Sequence, residues 1–145
     1  MDEILARQAF EQALATYKQE FGVFFLARLL DLDISYPDGK CVIRFPIRDF
    51  LFNPQGSLHG GIIATVMDIS MGHLLKHTTT VPGATLEMKM QYLRPLKAGS
   101  ARCEAAFLRK ARSVAFLESR LYDTDGELAV MATATWKPGE IKPAA

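Results

Sequence analysis

Between Leu58 and Leu75 the chain reads LHGGIIATVMDISMGHLL, a run of apolar and small side chains in which Asp68 is the single formal charge. Burying an unpaired carboxylate costs on the order of several kcal/mol, so one kept in such a run is either paired or reserved for chemistry. The chemistry open to it is proton abstraction from a water or direct nucleophilic attack. The run opens with His59-Gly60-Gly61. A helix beginning there presents unpaired N–H groups and the positive end of its dipole, and glycine lets a bound group approach the backbone closely. A carboxylate base combined with donors for a developing oxyanion is the equipment for adding water to a carbonyl.

The two halves do not meet on one helix. Gly60 and Asp68 are eight residues apart, about 12 Å at a rise of ~1.5 Å per residue, too far for both to touch one carbonyl. Two helices lying antiparallel across a two-fold axis bring Gly60 of one copy to Asp68 of the other, which predicts a homodimer with two interface sites. Plainer roles stay open on the residues alone. Asp68 can pair with a Lys, an Arg or a backbone cap, His59 can be a hydrogen-bonded structural histidine, and His73 and His77 can face the negative end of the dipole or solvent.

Composition narrows the field. At 145 residues the chain fits one domain with a real core. Cys41 and Cys103 are far apart and show no Cys-x-x-Cys or Cys/His spacing, which reads as core thiols in a reducing cytoplasm. No His, Cys and carboxylate grouping has metal-ligand spacing, so catalysis without a metal is expected. Lys and Arg number 17 against 16 Asp and Glu, a balance that gives duplex nucleic acid nothing to bind. The opening MDEILARQAFEQALATYKQEF mixes charges of both signs at helical spacing, unlike a signal peptide, and no apolar run is clean enough to span a bilayer. Neither nucleic acid nor membrane is expected as a partner.

The elements that position these residues follow from periodicity and punctuation. Asp2 to Lys18 reads as a cover helix with a fair apolar stripe. Residues 1–22 are expected to pack on a domain spanning 23–137, with 138–145 a loose tail. Phe24 to Ser35 and Lys40 to Pro46 read as a hairpin around Tyr36-Pro37-Asp38-Gly39. A loop over Ile47 to Ser57, broken by Asn53, Pro54 and Gly56, leads into the central helix. Ala84, Leu86, Met88, Met90 and Tyr92 alternate with Thr85, Glu87, Lys89 and Gln91, a strand with one face on a core. Strict alternation places Thr85 on Glu87's side. Turns at Arg94–Gly99, Lys110–Arg112 and Asp123–Gly126 then separate strands over Ala101 to Leu108, Val114 to Tyr122 and Leu128 to Trp136. One long helix wrapped by an antiparallel sheet of five to six strands is an α+β arrangement.

That order, with Asn53-Pro54-Gln55-Gly56-Ser57-Leu58-His59-Gly60-Gly61 and Asp68 nine residues after the histidine, resembles the hotdog-fold acyl-CoA thioesterases. Within them it is most similar to the phenylacetate-degradation branch, which includes the mammalian thioesterase-superfamily member 2 type. The resemblance covers about Val23 to Trp136. It implies Asp68 as general base or nucleophile, Gly60 as the backbone donor to the carbonyl, and Asn53 as the loop residue that orients water or carbonyl. Thr85 falls where a serine or threonine assists the carboxylate, and His59 matches a mainly structural histidine. It also implies a dimer, commonly paired into a tetramer, acting on an aromatic or medium- to long-chain acyl-CoA without a cofactor beyond the substrate's own CoA. Arg94, Lys97, Lys110 and Arg112 are the basic turn residues expected to hold CoA phosphates, and Phe50, Phe52, Met67 and Met71 are candidates for the acyl site. A non-hydrolytic acyl-CoA sensor and a hotdog hydratase or dehydratase are the alternatives.

Overall fold

In the computed structural model, which describes residues 1–140, the chain opens on a capped helix. The Asp2 side chain accepts the Leu5 N–H at 2.9 Å, and α1 runs Glu3–Thr16. Its partner is α2 (Phe25–Leu29), where Phe25 meets the rings of Phe10 and Tyr17 edge to face at 5.5 and 5.8 Å. This helix corrects the strand expected from Phe24 onward. The apolar run there has no period of two, its buried members Ala27 and Leu30 are three residues apart, and Asp31 at φ 53° ends the turn. Only β1 (Asp33–Ser35) is extended, and it pairs antiparallel with β2 (Cys41–Pro46) around the expected turn.

The central helix α3 spans Gly60–Thr79, and after it come β3 (Ala84–Tyr92), β4 (Ser100–Lys110), β5 (Ala115–Tyr122) and β6 (Leu128–Lys137). All six strands form one antiparallel sheet in the order β1-β2-β4-β5-β6-β3. The chain therefore does not turn back from β3 into a hairpin with β4. Residues 93–99 carry it from one edge of the sheet past two strands, a step of about 14 Å at ~4.8 Å per strand, within reach of seven extended residues. Leu96 anchors that crossing, 2% exposed, with its carbonyl accepting the Leu58 N–H at 2.8 Å.

The sheet curls around α3, and the core lies between them. Val66, Met67, Met71, Leu74 and Leu75 from the helix pack against Ile43, Leu117, Leu121, Val130 and Trp136 from the sheet, all 5% exposed or less. Met67 and Met71 are thus core side chains, not acyl-site residues. Gly72 admits the Trp136 indole, since a Cβ there would lie 2.8 Å from the ring. The buried Ser70, Ser119 and Cys103 satisfy one another, with the two hydroxyls 2.9 Å apart and the thiol 3.0 Å from Ser119. Residues 141–145 of the expected tail lie outside the described residues. No helix among those described is long and apolar enough to cross a membrane.

Candidate active site

The start of α3 is built by its own N-cap. His59 Nδ1 accepts the Gly61 N–H at 2.9 Å, and the His59 carbonyl takes the N–H groups of Ile62 and Ile63 at 2.9 and 3.1 Å. Gly60 is left as the first helical residue whose N–H finds no acceptor among the described residues. The His59 imidazole therefore works as a cap. Its capping nitrogen is an acceptor, which leaves the proton on Nε2. Ahead of it, Asn53 folds the loop: its Oδ1 accepts the N–H groups of Gln55 and Ser57 at 3.0 and 3.2 Å, and its Nδ2 donates to Ser57 Oγ at 3.1 Å. One amide hydrogen of Asn53 remains for another partner.

Tyr92, which the sequence did not single out, closes this half. Its hydroxyl donates to the Gly60 carbonyl at 2.8 Å, and its ring lies where a Cβ on Gly60 would approach to 3.3 Å. Position 60 thus keeps its glycine through contact with a residue far along the chain. Asn53, Gly60, Tyr92 and Arg94 share a cavity of about 380 Å³.

The other half stands at Asp68, two turns further along α3. Asp68 is half-buried, not enclosed, and its Oδ1 accepts the Thr85 hydroxyl at 2.7 Å. A β-bulge makes that contact. Between Thr85 and Glu87 the register of β3 against β6 slips by one, so that Thr85 faces Trp136 and Glu87 faces Thr135. Leu86 is the extra residue and is 60% exposed. Strict alternation would have set Leu86 toward the core and Thr85 away from it; the bulge turns Thr85 in toward the helix. Asp68 and Thr85 border a second cavity of about 470 Å³, separate from that of Gly60.

The basic residues divide. Arg94 lies beside Gly60 and pairs with Glu127 at 3.3 Å, and Lys97 is exposed on the same crossing segment. Lys110 ends β4, on the strand row that runs through Ala115 and Trp136 to Thr85, and Arg112 lies in the turn just after it. They share an end of the sheet with Asp68, three strands away. Phe50 and Phe52 are half-buried near the Asn53 loop.

His73 is the clearest departure from expectation at this site. It is 3% exposed, and both ring nitrogens are engaged: Nε2 lies 2.9 Å from the Phe21 carbonyl and Nδ1 2.7 Å from the Tyr36 hydroxyl. Burial holds its pKa below the ordinary histidine range against the opposing pull of the Phe21 carbonyl, with Lys76 adding to the lowering. It is a neutral core histidine, not a cation at the helix end. His77 is exposed and stacks on Tyr36 at 3.9 Å. Among the described residues no three His, Cys, Asp or Glu side chains gather as a metal site.

The family model described as the thioesterase superfamily matches residues 55–130. The chain belongs to the thioesterase superfamily. A Saccharolobus solfataricus protein whose name suggests an esterase is 32% identical over 104 residues, 71% of this chain and 74% of that one. Human acyl-coenzyme A thioesterase 13 is 32% identical over 85 residues, 57% of this chain and 61% of the human protein. A Bacillus halodurans protein solved with CoA superimposes with a TM-score of 0.87 over 97% of this chain and 95% of its own, at 23% identity, and establishes the shared hotdog fold. Of the candidate residues, Gly60, Asp68, Thr85 and Tyr92 fall inside the thioesterase-superfamily match, and Asn53 just before it.

Proposed function

We propose that this thioesterase-superfamily chain hydrolyses acyl-CoA thioesters at sites shared by two copies, Asp68 and Thr85 from one and Gly60 and Asn53 from the other. Asp68 takes a proton from water through its second oxygen as the water oxygen bonds to the thioester carbon. The carbonyl electron pair moves onto oxygen, where the Gly60 N–H meets the charge. When the carbonyl re-forms, the C–S bond breaks, and the CoA thiolate leaves and takes up a proton. Thr85 holds Asp68 Oδ1 in place, and no metal enters any step. The two buried thiols suit a reducing compartment, and the cytoplasm is the setting we propose.

The observation that carries this reading is the position of the two half-sites on β3. Thr85, against Asp68, begins the strand, and Tyr92, against Gly60, ends it. β3 is also an edge strand, paired within the chain on one side alone. Two such edges joined antiparallel across a two-fold bring the Thr85 end of each to the Tyr92 end of the other. The CoA held by the Bacillus halodurans protein supports acyl-CoA as the substrate.

The test is release of free CoA from phenylacetyl-, benzoyl- and straight-chain acyl-CoAs by the wild type and by Asp68→Asn. The variant is expected to lose about 100-fold to 10,000-fold in kcat. Binding of acyl-CoA without turnover by the wild type would instead make the protein a sensor, with Asp68 orienting a ligand.

A further inference from the structure

The cavity beside Asp68 has a wall that the catalytic halves do not explain. One side is the α3 and β6 surface, with Ile69, Gly72 and Trp136; the other is the segment joining α1 to α2, which contributes Phe21 and Phe24. That segment is tied to the central helix by a partly buried polar relay centred on His73. The Phe21 carbonyl can only accept, so His73 donates to it from Nε2 at 2.9 Å, and Nδ1 accepts from the Tyr36 hydroxyl at 2.7 Å. The Phe21 ring also lies against the His73 ring at 4.6 Å, with the Lys76 ammonium 5.3 Å from its centroid. His73 follows Asp68 by five residues on the same helix, so the group that pins the wall is fixed relative to the carboxylate.

Phe21, Phe24, Tyr36 and Trp136 all lie outside residues 55–130, the part that matches the family model. The candidate base and its threonine are inside it. What lies across the cavity from the base is therefore supplied by this chain's own flanking segments.

Resting on the thioesterase reading, we infer that residues 19–24 are the acyl-recognising wall of the site and that His73 is the positioning residue that holds it, through Phe21 and Tyr36. An acyl group long or broad enough to cross the cavity packs on the Phe21 and Phe24 rings; an acetyl group does not reach them. At about 470 Å³ the cavity is roomy, so removing a ring costs contact before it relieves crowding. Loss of one buried phenyl contact weakens binding by about tenfold or more.

The experiment is steady-state hydrolysis of acetyl-, hexanoyl-, decanoyl- and phenylacetyl-CoA by the wild type, Phe21→Ala, His73→Leu, His73→Gln and Tyr36→Phe. Phe21→Ala is expected to raise KM for the three larger substrates about tenfold relative to acetyl-CoA, with kcat held within about twofold. His73→Leu, which has no donor for the Phe21 carbonyl, should follow Phe21→Ala. His73→Gln, whose amide can replace the Nε2 donor, should stay close to the wild type, and Tyr36→Phe should fall between. An equal loss on every substrate, or no change in the KM ratios of an active enzyme, overturns the wall and leaves the thioesterase reading standing. A wild type that hydrolyses none of the four removes both.

Discussion

Asp68 serves as a base only if one oxygen is held and the other left open, and the Thr85 hydroxyl at 2.7 Å does the holding. The matching donor is chosen just as locally, because the His59 cap occupies Gly61 and leaves the N–H of Gly60. The positions of His59, Gly60 and Asp68 were legible in the sequence, since they are set by spacing on one helix. His73 was not, because its partners Phe21 and Tyr36 come from segments 52 and 37 residues away. Its burial has a pH consequence. The folded chain holds His73 neutral below the ordinary value of 6.5, whereas the unfolded chain protonates near it. Stability is thus undiminished above that value and falls as pH drops below it, because the unfolded state binds the extra proton. The urea midpoint is expected to fall more between pH 7.5 and 5.5 in the wild type than in His73→Gln. Parallel falls would show that His73 does not take part. The thiols, by contrast, are inert: burial pushes Cys41 up to about 12 and raises Cys103 as well.

Among the elements, the bulge in β3 decides the site. Alternation correctly identified a strand over residues 84–92, yet it put Thr85 on the outer face, because a single inserted residue leaves no mark in a pattern of period two. Deleting Leu86 would remove the extra residue and leave Thr85 next to Glu87 and opposite Trp136, still facing α3, so the contact is tested by Thr85→Ala, which takes the hydroxyl away from Asp68. The expected result for Thr85→Ala is a kcat about 10- to 100-fold lower, as befits the loss of a hydrogen bond to a charged group, with a cooperative thermal transition retained. A folded Thr85→Ala variant with full activity would mean that Thr85 does not serve the carboxylate. The short helix α2 was missed for a related reason: an apolar run such as Phe24–Leu30 fits strand or helix until its packing partner, here α1, is known. The crossing from β3 to β4 looked like a turn because Arg94–Gly99 has turn chemistry, and only the sheet order shows that it spans two strands.

At the scale of the molecule, one chain keeps the two candidate half-sites apart. Gly60 and Asp68 face separate cavities, at opposite ends of an edge strand that has no partner on its outer side among the described residues. The helix arithmetic in the sequence is one ground for proposing a second copy, and the sheet order supplies the edge along which we propose it docks. Co-expressing Asp68→Asn and Gly60→Pro chains under two affinity tags tests this directly. Proline is tolerated at the first helical position and removes only the N–H, and Gly60→Ala, which meets the Tyr92 ring in the same way, controls for the added bulk. Each variant alone should be inactive. In the doubly tagged heterodimer one site combines both defects and the other has neither, so the account predicts about half the wild-type activity per dimer. A heterodimer as inactive as its parents would place Gly60 and Asp68 of the same chain in one site and contradict the shared-site mechanism.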